Sequence, residues 1–195
     1  MANKNIEMLK VFFGVINNNE KYINLVLPNC YVKNVYDIDY ETLYKKGYHS
    51  IIFDIDNTLL PVNDIKVPEE LKCLMEQLKG YGFNVCIVSN NSLERVLPPA
   101  ENLGVTYLAN AHKPNPIAFS TALKELNSTV EETVMVGDQM LSDIKGANEY
   151  GLYSILVDPV DNKYDIKTGT SRVLQNIMIK KLSKRDLFKK GSYYK

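Results

Sequence analysis

The chain has 195 residues, of which 45% are hydrophobic and 24% charged, and this length and composition are ordinary for one globular domain with a full core. Its formal net charge is zero, so the molecule as a whole does not attract nucleic acid at long range, and no nucleic-acid partner is expected. Three cysteines without metal-type spacing indicate a reducing compartment, and no apolar run approaches the roughly 18 residues of a membrane span. These features predict a cytoplasmic protein.

Residues 1–48 are interpreted as an N-terminal extension that packs on or beside a core domain. Within it, residues 1–24 carry apolar side chains that suit either an interfacial helix or a docking helix: Leu9, Val11, Phe12, Phe13 and Val15. The core domain is predicted over residues 49–160, and residues 161–195 are predicted to form a basic helix and tail.

Within the core, apolar runs alternate with segments of helical periodicity. The predicted strands are residues 50–54, 84–89, 105–109, 133–137 and 153–157. The predicted helices are residues 68–80, 93–103, 116–126 and 141–150. Strict alternation of strand and helix implies a parallel sheet with helices on both faces, which is a three-layer, Rossmann-like α/β fold.

Polar groups follow these strands at the carboxyl ends, where ligands bind in such sheets. Asp54 and Asp56 leave the first strand two residues apart, so they share one face. Because unpaired buried charge is costly, two adjacent acids indicate a bound cation and phosphoryl chemistry. The later strands deliver Ser89, Asn90 and Asn91, then His112 and Lys113, then Gly137, Asp138, Gln139 and Asp143.

The acids form a set of hard oxygen ligands, the type that Mg²⁺ prefers. The candidate metal ligands are Asp54, Asp56, Asp138 and Asp143. For Asp143 two interpretations stay open, since it could hold a metal-bound water or anchor Lys113.

The same residues suggest catalytic roles. Asp54 is expected to attack phosphorus and form an aspartyl-phosphate, while Asp56 protonates the leaving oxygen and later deprotonates water. Ser89 and Lys113 are expected to bind phosphate oxygens. Neighbouring polar residues are the candidate substrate contacts: Asn57, Thr58, Asn90 and Asn91.

These motifs resemble those of the haloacid dehalogenase (HAD) superfamily of phosphotransferases. The D-x-D-x-T-L motif corresponds to residues 54–59, the strand ending in Ser to 85–90, the lysine to Lys113-Pro114, and G-D-x-x-x-x-D to 137–143. The resemblance implies a nucleophile at Asp54, an acid/base at Asp56, and magnesium held by Asp54, Asp138 and the backbone carbonyl of Asp56. The acid at position 56 favours the phosphatase branch over the dehalogenase branch.

A narrower resemblance, to the YqeG-type members of subfamily IIIA, covers most of residues 25–160. It is carried by residues 27–28, 31–32, 37–39, 46–47, 52–54, 88–92 and 136–139. Eukaryotic relatives in that subfamily act as phosphatidylglycerophosphate phosphatases, so kinship implies this lipid as the first substrate to consider.

The spacing of the motifs leaves no room for a cap domain. The segments from Thr58 to Asn84 and from Ser89 to Lys113 are mostly used by predicted core elements, whereas a separate cap needs at least roughly 50 residues. A capless, open site suits a bulky substrate, either a phospholipid or, as alternatives, a phosphoprotein or a nucleotide.

The C-terminal segment carries basic residues after an apolar helical pattern: Lys180, Lys181, Lys184, Arg185, Lys189, Lys190 and Lys195. One interpretation is a helix that binds an anionic membrane, which would make the protein peripheral to the inner membrane face. The other is a helix packed on the core with a solvated tail. The sequence leaves the oligomeric state open.

Two other classes of protein fit the sequence less well than a phosphatase does. A signalling receiver domain separates its acidic pair and its phospho-acceptor onto different strands, whereas here the D-x-D lies on one strand. A non-catalytic scaffold would be expected to lack part of the residue set, and here every expected position is filled.

Overall fold

A computed structural model describes residues 2–62, 64–161 and 169–194. Parts of the predicted N-terminal extension (residue 1) and of the predicted C-terminal segment (residues 162–168 and 195) lie outside the described residues, as does residue 63.

The helices are α1 (Ala2–Ile16), α2 (Glu20–Val26), α3 (Tyr40–Lys45), α4 (Glu69–Tyr81), α5 (Leu93–Leu103), α6 (Pro116–Leu126), α7 (Lys145–Tyr150) and α8 (Gly169–Ser183). The strands are β1 (Cys30–Val32), β2 (Ser50–Phe53), β3 (Asn84–Val88), β4 (Thr106–Leu108), β5 (Thr133–Gly137) and β6 (Tyr153–Val157). A 3₁₀ turn spans Val35–Asp37, and a π-helical segment spans Met140–Ile144.

The strands form one sheet in the order β1-β6-β5-β2-β3-β4, and each named pair is parallel. The predicted parallel α/β fold is therefore confirmed. The two central neighbours β2 and β5 pair in register from Ser50 opposite Thr133 to Phe53 opposite Val136, so their carboxyl ends lie side by side.

Alternate side chains of each strand enter two different layers of core. In β2, Ile51 and Phe53 pack against α3, α4 and α5, whereas Ile52 packs against α6 and α7. The second layer continues over β1 and β6, where α1, α2 and α8 bury residues such as Val11 and Met178. Because both faces of the sheet are covered, the central strands are apolar between their ends, and polar residues come only at the strand ends.

The sequence does not predict β1, which pairs with β6 from Cys30 opposite Ile155 to Val32 opposite Val157. On its outer side, Tyr31 exchanges two backbone hydrogen bonds of 2.8 Å with Tyr194, in antiparallel orientation. The C-terminal end of the described chain therefore lies along the outer side of β1 and covers a strand edge that would otherwise be open.

The predicted helix over residues 141–150 divides into the π-helical segment and α7. The amide N–H of Ile144 donates to the carbonyl of Gln139 over 3.2 Å, which widens the first turn. The Asp143 carboxylate then folds back and accepts from the Gln139 N–H at 3.0 Å. The segment thus directs Asp143 towards the end of β5.

The segment after β2 and the segment after β3 carry no cap domain among the described residues. Between β2 and α4, the described residues of 54–68 form only loop and turn, and residues 89–113 are occupied by α5, β4 and short connections. Within the described ranges, no helix combines the length and the apolar character that crossing a bilayer requires.

Candidate active site

Three charged side chains meet beyond the ends of β2 and β5. Lys113 is 1% exposed, and its Nζ lies 2.7 Å from Asp54 Oδ1 and 2.8 Å from Asp143 Oδ1. Asp54 follows β2 directly, and its N–H donates to Val136 of β5 at 2.9 Å. The ammonium therefore bridges two carboxylates that the sheet brings together.

Asn90 fixes the backbone of Lys113. Its Oδ1 accepts from the Lys113 N–H at 2.5 Å, and its Nδ2 donates to the Lys113 carbonyl at 2.9 Å. The Lys113–Pro114 peptide bond is cis. Asn90, expected from the sequence to contact substrate, thus makes two bonds that orient the lysine, and substrate contact by Asn90 stays a prediction.

Asp138 lies at the end of β5 and is held from two sides. Thr58 Oγ1 lies 3.3 Å from Asp138 Oδ1 and 3.4 Å from Asp54 Oδ2, so one hydroxyl lies between both carboxylates. From α8, Arg172 pairs with Asp138 Oδ2 and donates from Nη1 to the Asp138 carbonyl at 3.1 Å. Gln175 of α8 also accepts from the Met140 N–H at 2.9 Å, which ties α8 to the same loop.

Gly137 precedes Asp138 because no larger residue fits. A Cβ atom at this position would lie 2.5 Å from the Asp143 side chain. The absence of a side chain at 137 therefore permits Asp143 to approach the end of β5 and reach Lys113.

The Asp56 carboxylate lies in a different environment from that of Asp54. Its Oδ1 accepts from Arg95 Nε at 2.9 Å, and its Oδ2 accepts from Asn91 Nδ2 at 3.2 Å. The side chain of Asp56 is thus directed at α5 and the loop after β3. Whether its backbone carbonyl binds a metal stays a prediction.

The donor set at this rim fits a divalent cation. Asp54, Asp138 and Asp143 are buried, and one carboxylate oxygen from each lies within 4.8 Å of the others. Oxygen ligands of this type suit hard cations such as magnesium. The Asp56 side chain is not in this cluster, so three of the four acids expected from the sequence come together.

Burial and ion pairing oppose each other in the electrostatics of the site. Loss of hydration raises the pKa of Asp54 to about 7, because it outweighs the favourable charge of Lys113. Burial would lower the pKa of Lys113, but the Asp143 and Asp54 carboxylates outweigh it and raise that pKa. Lys113 therefore stays protonated, and Asp54 becomes a carboxylate as the pH rises through about 7, which completes the ion pair. Burial also lowers the pKa of Arg172 to about 10.

The remaining predicted residues lie around this centre. Ser89 is buried after β3, and its Oγ accepts from the Asn91 N–H at 3.0 Å. Asn57 adopts φ +63°, and its carbonyl accepts from the Val160 N–H at 2.9 Å. Asn57 therefore fastens the segment after β6 to the D-x-D loop, while substrate contacts by Asn57, Thr58 and Asn91 stay predictions.

The sequence did not identify Arg95 or Arg172 as site residues. Both lie on helices, where charged residues usually face solvent, so their type and position carry little signal. For Arg95, a weak indication was its place four residues after Asn91, on the first turn of the helix that follows β3. For Arg172, no motif was available.

Comparison with known proteins agrees with this geometry. The family model described as mitochondrial PGP phosphatase matches residues 9–96, and one described as HAD-hydrolase-like matches residues 110–170. A protein of Bacillus subtilis, named probable phosphatase YqeG, is 34% identical over 159 residues, which cover 82% of this chain and 92% of that protein.

Two further matches are more distant. Phosphatidylglycerophosphate phosphatase 1 of Arabidopsis thaliana is 27% identical over 69% of this chain, but the match covers only 41% of that protein. A crystal structure of an uncharacterized protein from Listeria monocytogenes serotype 4b aligns with a TM-score of 0.48 and 23% identity, over 65% of this chain and 98% of that one.

Proposed function

The chain belongs to the haloacid dehalogenase superfamily, as a YqeG-type phosphatase, and from this premise we propose that it hydrolyses a phosphate monoester through a phosphoaspartate at Asp54, with magnesium as cofactor. The observation that carries the proposal is the buried Asp54 carboxylate, 2.7 Å from Lys113 and in one cluster with Asp138 and Asp143. A nucleophile, a phosphate-binding cation and a metal-binding acid pair are thereby available at one point.

Magnesium would be held by Asp54 and Asp138, with Asp143 beside them and the backbone carbonyl of Asp56 as the remaining proposed protein ligand. When bound, it supplies positive charge against the oxygens of the transferring phosphoryl group. Asp143 is already engaged by Lys113 and by the Gln139 N–H, so we assign it mainly to anchoring the lysine.

The residues of the chain then act in two steps. In the first, an Asp54 oxygen attacks phosphorus, the bond from phosphorus to the leaving oxygen breaks, and Asp56 gives its proton to that oxygen. In the second, Asp56 takes a proton from water, whose oxygen attacks phosphorus and releases Asp54. Lys113 and the Ser89 hydroxyl bind the phosphate oxygens during both steps.

Phosphatidylglycerophosphate is the first substrate that we propose. The proposal is supported by the description of the family model over residues 9–96 and by the name of the Arabidopsis relative. The uncapped rim is compatible with a substrate that brings its own bulk. A phosphoprotein or a nucleotide is the alternative.

An anionic membrane surface is the partner that this substrate implies, and we propose a cytoplasmic location at the inner membrane face. Helix α1 exposes Ile6, Leu9 and Phe13, and α8, which contacts α1, exposes Val173, Ile177 and Lys180. Lys184 is exposed directly after α8. Exposed apolar side chains together with basic ones suit anionic lipid. Because α8 also supplies Arg172 to Asp138, the proposed docking helix is in direct contact with the site.

The test is magnesium-dependent phosphate release from phosphatidylglycerophosphate in mixed micelles, beside its soluble headgroup and p-nitrophenyl phosphate. Wild type is compared with Asp54→Asn and with the control Asp64→Asn, which alters an exposed acid. We expect wild type and Asp64→Asn to release phosphate much faster from the lipid than from the other two substrates. Asp54→Asn should release no phosphate from any of them. Activity on the aryl phosphate alone would move the search to phosphoproteins and nucleotides, and turnover by Asp54→Asn would exclude the phosphoaspartate. A receiver domain would take up phosphate once and not release it repeatedly.

Membrane binding is tested separately, by flotation with anionic and with neutral vesicles. The double variant Val173→Glu/Ile177→Glu should lose binding to the anionic vesicles, whereas Ile117→Glu changes an exposed apolar residue of α6 and should keep it. Equal binding by all three proteins would exclude α8 as the docking surface.

A further inference from the structure

A second buried cation, Arg95, lies on the opposite side of the site from Asp138. It is 9% exposed, although it lies near the start of α5, where water is close. Its Nε donates to Asp56 Oδ1 at 2.9 Å, and its Nη2 donates to the Pro61 carbonyl at 3.0 Å. One guanidinium thus connects the D-x-D acid to the loop that follows it.

This burial has a cost. A buried charge loses its hydration, and Arg95 Nη1 has no hydrogen-bond partner among the described residues. A buried donor without a partner destabilises the folded state, because it has lost its hydrogen bonds to water. Since a solvated arginine on the outer face of α5 would avoid this loss, the arrangement is explained best by what Arg95 does for Asp56.

The carboxylate of Asp56 is held at both oxygens. Asn91 Nδ2 donates to Oδ2 at 3.2 Å, and Asn91 is itself fixed because its Oδ1 accepts from the Ser92 N–H at 2.9 Å. Each carboxylate oxygen has two lone pairs. One hydrogen bond per oxygen fixes the orientation of the group and leaves a lone pair that can carry the transferred proton.

We propose that Arg95 is the positioning residue for proton transfer by Asp56. It holds the carboxyl group in the orientation that delivers a proton to the leaving oxygen, without touching substrate. This role rests on the proposed phosphatase function and adds to it a residue that lies outside the four motifs. Asn91 completes the same support from the loop after β3.

The proposal implies that the effect of removing Arg95 on kcat/KM depends on the leaving group. An alkoxide leaves poorly unless it is protonated as the P–O bond breaks, whereas a nitrophenolate leaves readily without a proton. The ratio kcat/KM reports only the steps up to formation of the phosphoaspartate. A fault in proton delivery should therefore lower kcat/KM for an alkyl phosphate far more than for an aryl phosphate.

The experiment compares kcat/KM for glycerol 3-phosphate and for p-nitrophenyl phosphate in wild type, Arg95→Met and Arg95→Lys. Arg95→Met should lose about 10²–10⁴-fold on the alkyl phosphate, the usual contribution of acid–base catalysis, and less than about tenfold on the aryl phosphate. Arg95→Lys should recover part of the alkyl activity, since an ammonium keeps the positive charge but lacks the rigid fork of donors that binds Asp56 and Pro61 together. Lys45→Met, which removes a cation paired with Glu41 on the exposed side of α3, should change neither value.

Asn91→Ala provides a second variant in case Arg95→Met does not fold, and it should show the same selective loss with a smaller magnitude. Equal losses on both substrates in the folded variants would overturn the proposal and leave Arg95 a structural residue. If wild type releases phosphate neither from these two substrates nor from phosphatidylglycerophosphate in mixed micelles, the proposed function fails, and the role of Arg95 fails with it. If wild type hydrolyses the substrates and Asp54→Asn does not, the proposed function stands. The loss of kcat/KM on the alkyl phosphate, compared with the loss on the aryl phosphate, then decides the role of Arg95.

Discussion

Lys113 Nζ lies 2.7 Å from Asp54 Oδ1, and both groups are buried. The same ammonium contacts Asp143 at 2.8 Å, so it compensates two carboxylates at once. Removing one partner of a buried ion pair leaves an uncompensated charge, and this is more costly than removing the whole pair.

Lys113→Met should therefore destabilise the protein by about 3–5 kcal/mol in metal-free buffer, besides abolishing turnover. The matched control is Lys145→Met. Lys145 is also a buried lysine, but its partner Glu149 is 46% exposed and can be hydrated, so about 1 kcal/mol or less is expected. Denaturant unfolding measures both, and equal losses would contradict this account of Lys113.

Gly137→Ala should destabilise the protein by about 1–3 kcal/mol, the usual cost of overpacking, because the new Cβ overlaps Asp143. It should also lower activity, since Asp143 would move away from Lys113. The control is Gly80→Ala in α4, where a Cβ meets nothing within 4 Å. That change should stabilise by about 0.5–1 kcal/mol, as alanine is the better helix residue. An unchanged melting temperature in Gly137→Ala would contradict the tight fit.

The stability of the metal-free protein should depend on pH through Asp54. Its pKa is about 7 in the folded state and 3.8 for an unperturbed aspartate carboxyl group, so between these values the folded protein binds more protons than the unfolded chain. The contribution of Asp54 to the free energy of unfolding is therefore greatest below pH 3.8 and decreases as the pH rises towards 7. With EDTA present, the melting temperature of Asp54→Asn relative to wild type should rise over this interval. Parallel pH curves would refute the raised pKa.

Arg172 should compete with the cation, because it occupies Asp138 Oδ2. Arg172→Met should tighten magnesium binding in the absence of substrate by about tenfold, which corresponds to about 1.4 kcal/mol. Titration calorimetry measures this directly. Lys190→Met alters another cation on the wall of the adjoining cavity of about 340 Å³ and should have less effect. Asp138→Asn should abolish binding, and weaker binding in Arg172→Met would contradict the competition.

Much of the fold and the central part of the site follow from local sequence patterns. Buried strands such as β5 correspond to apolar runs in the sequence. In the helices between them, apolar residues recur with a period of about 3.6 residues. Asp54 and Asp138 directly follow buried strands, so the parallel sheet brings them together whatever the details of the helices.

What the sequence did not predict depends on tertiary context. β1 has only three residues, too few for a periodic signal, and its partners, β6 and Tyr194, are distant in the sequence. Arg95 and Arg172 enter the site because of the rotation of α5 and α8 about their axes. That rotation is set by packing and not by the charged residues themselves.

The attachment of α8 to the Asp138 loop has a consequence for synthesis of the protein. Arg172 and Gln175 come 34 and 37 residues after Asp138, whose carbonyl they bind. Because a chain emerges from the ribosome N-terminus first, β5 and its neighbouring strands can be complete while this loop still lacks those partners. A nascent chain that ends before α8 therefore holds every described strand of the parallel sheet, while the Asp138 loop still lacks its hydrogen bonds to α8.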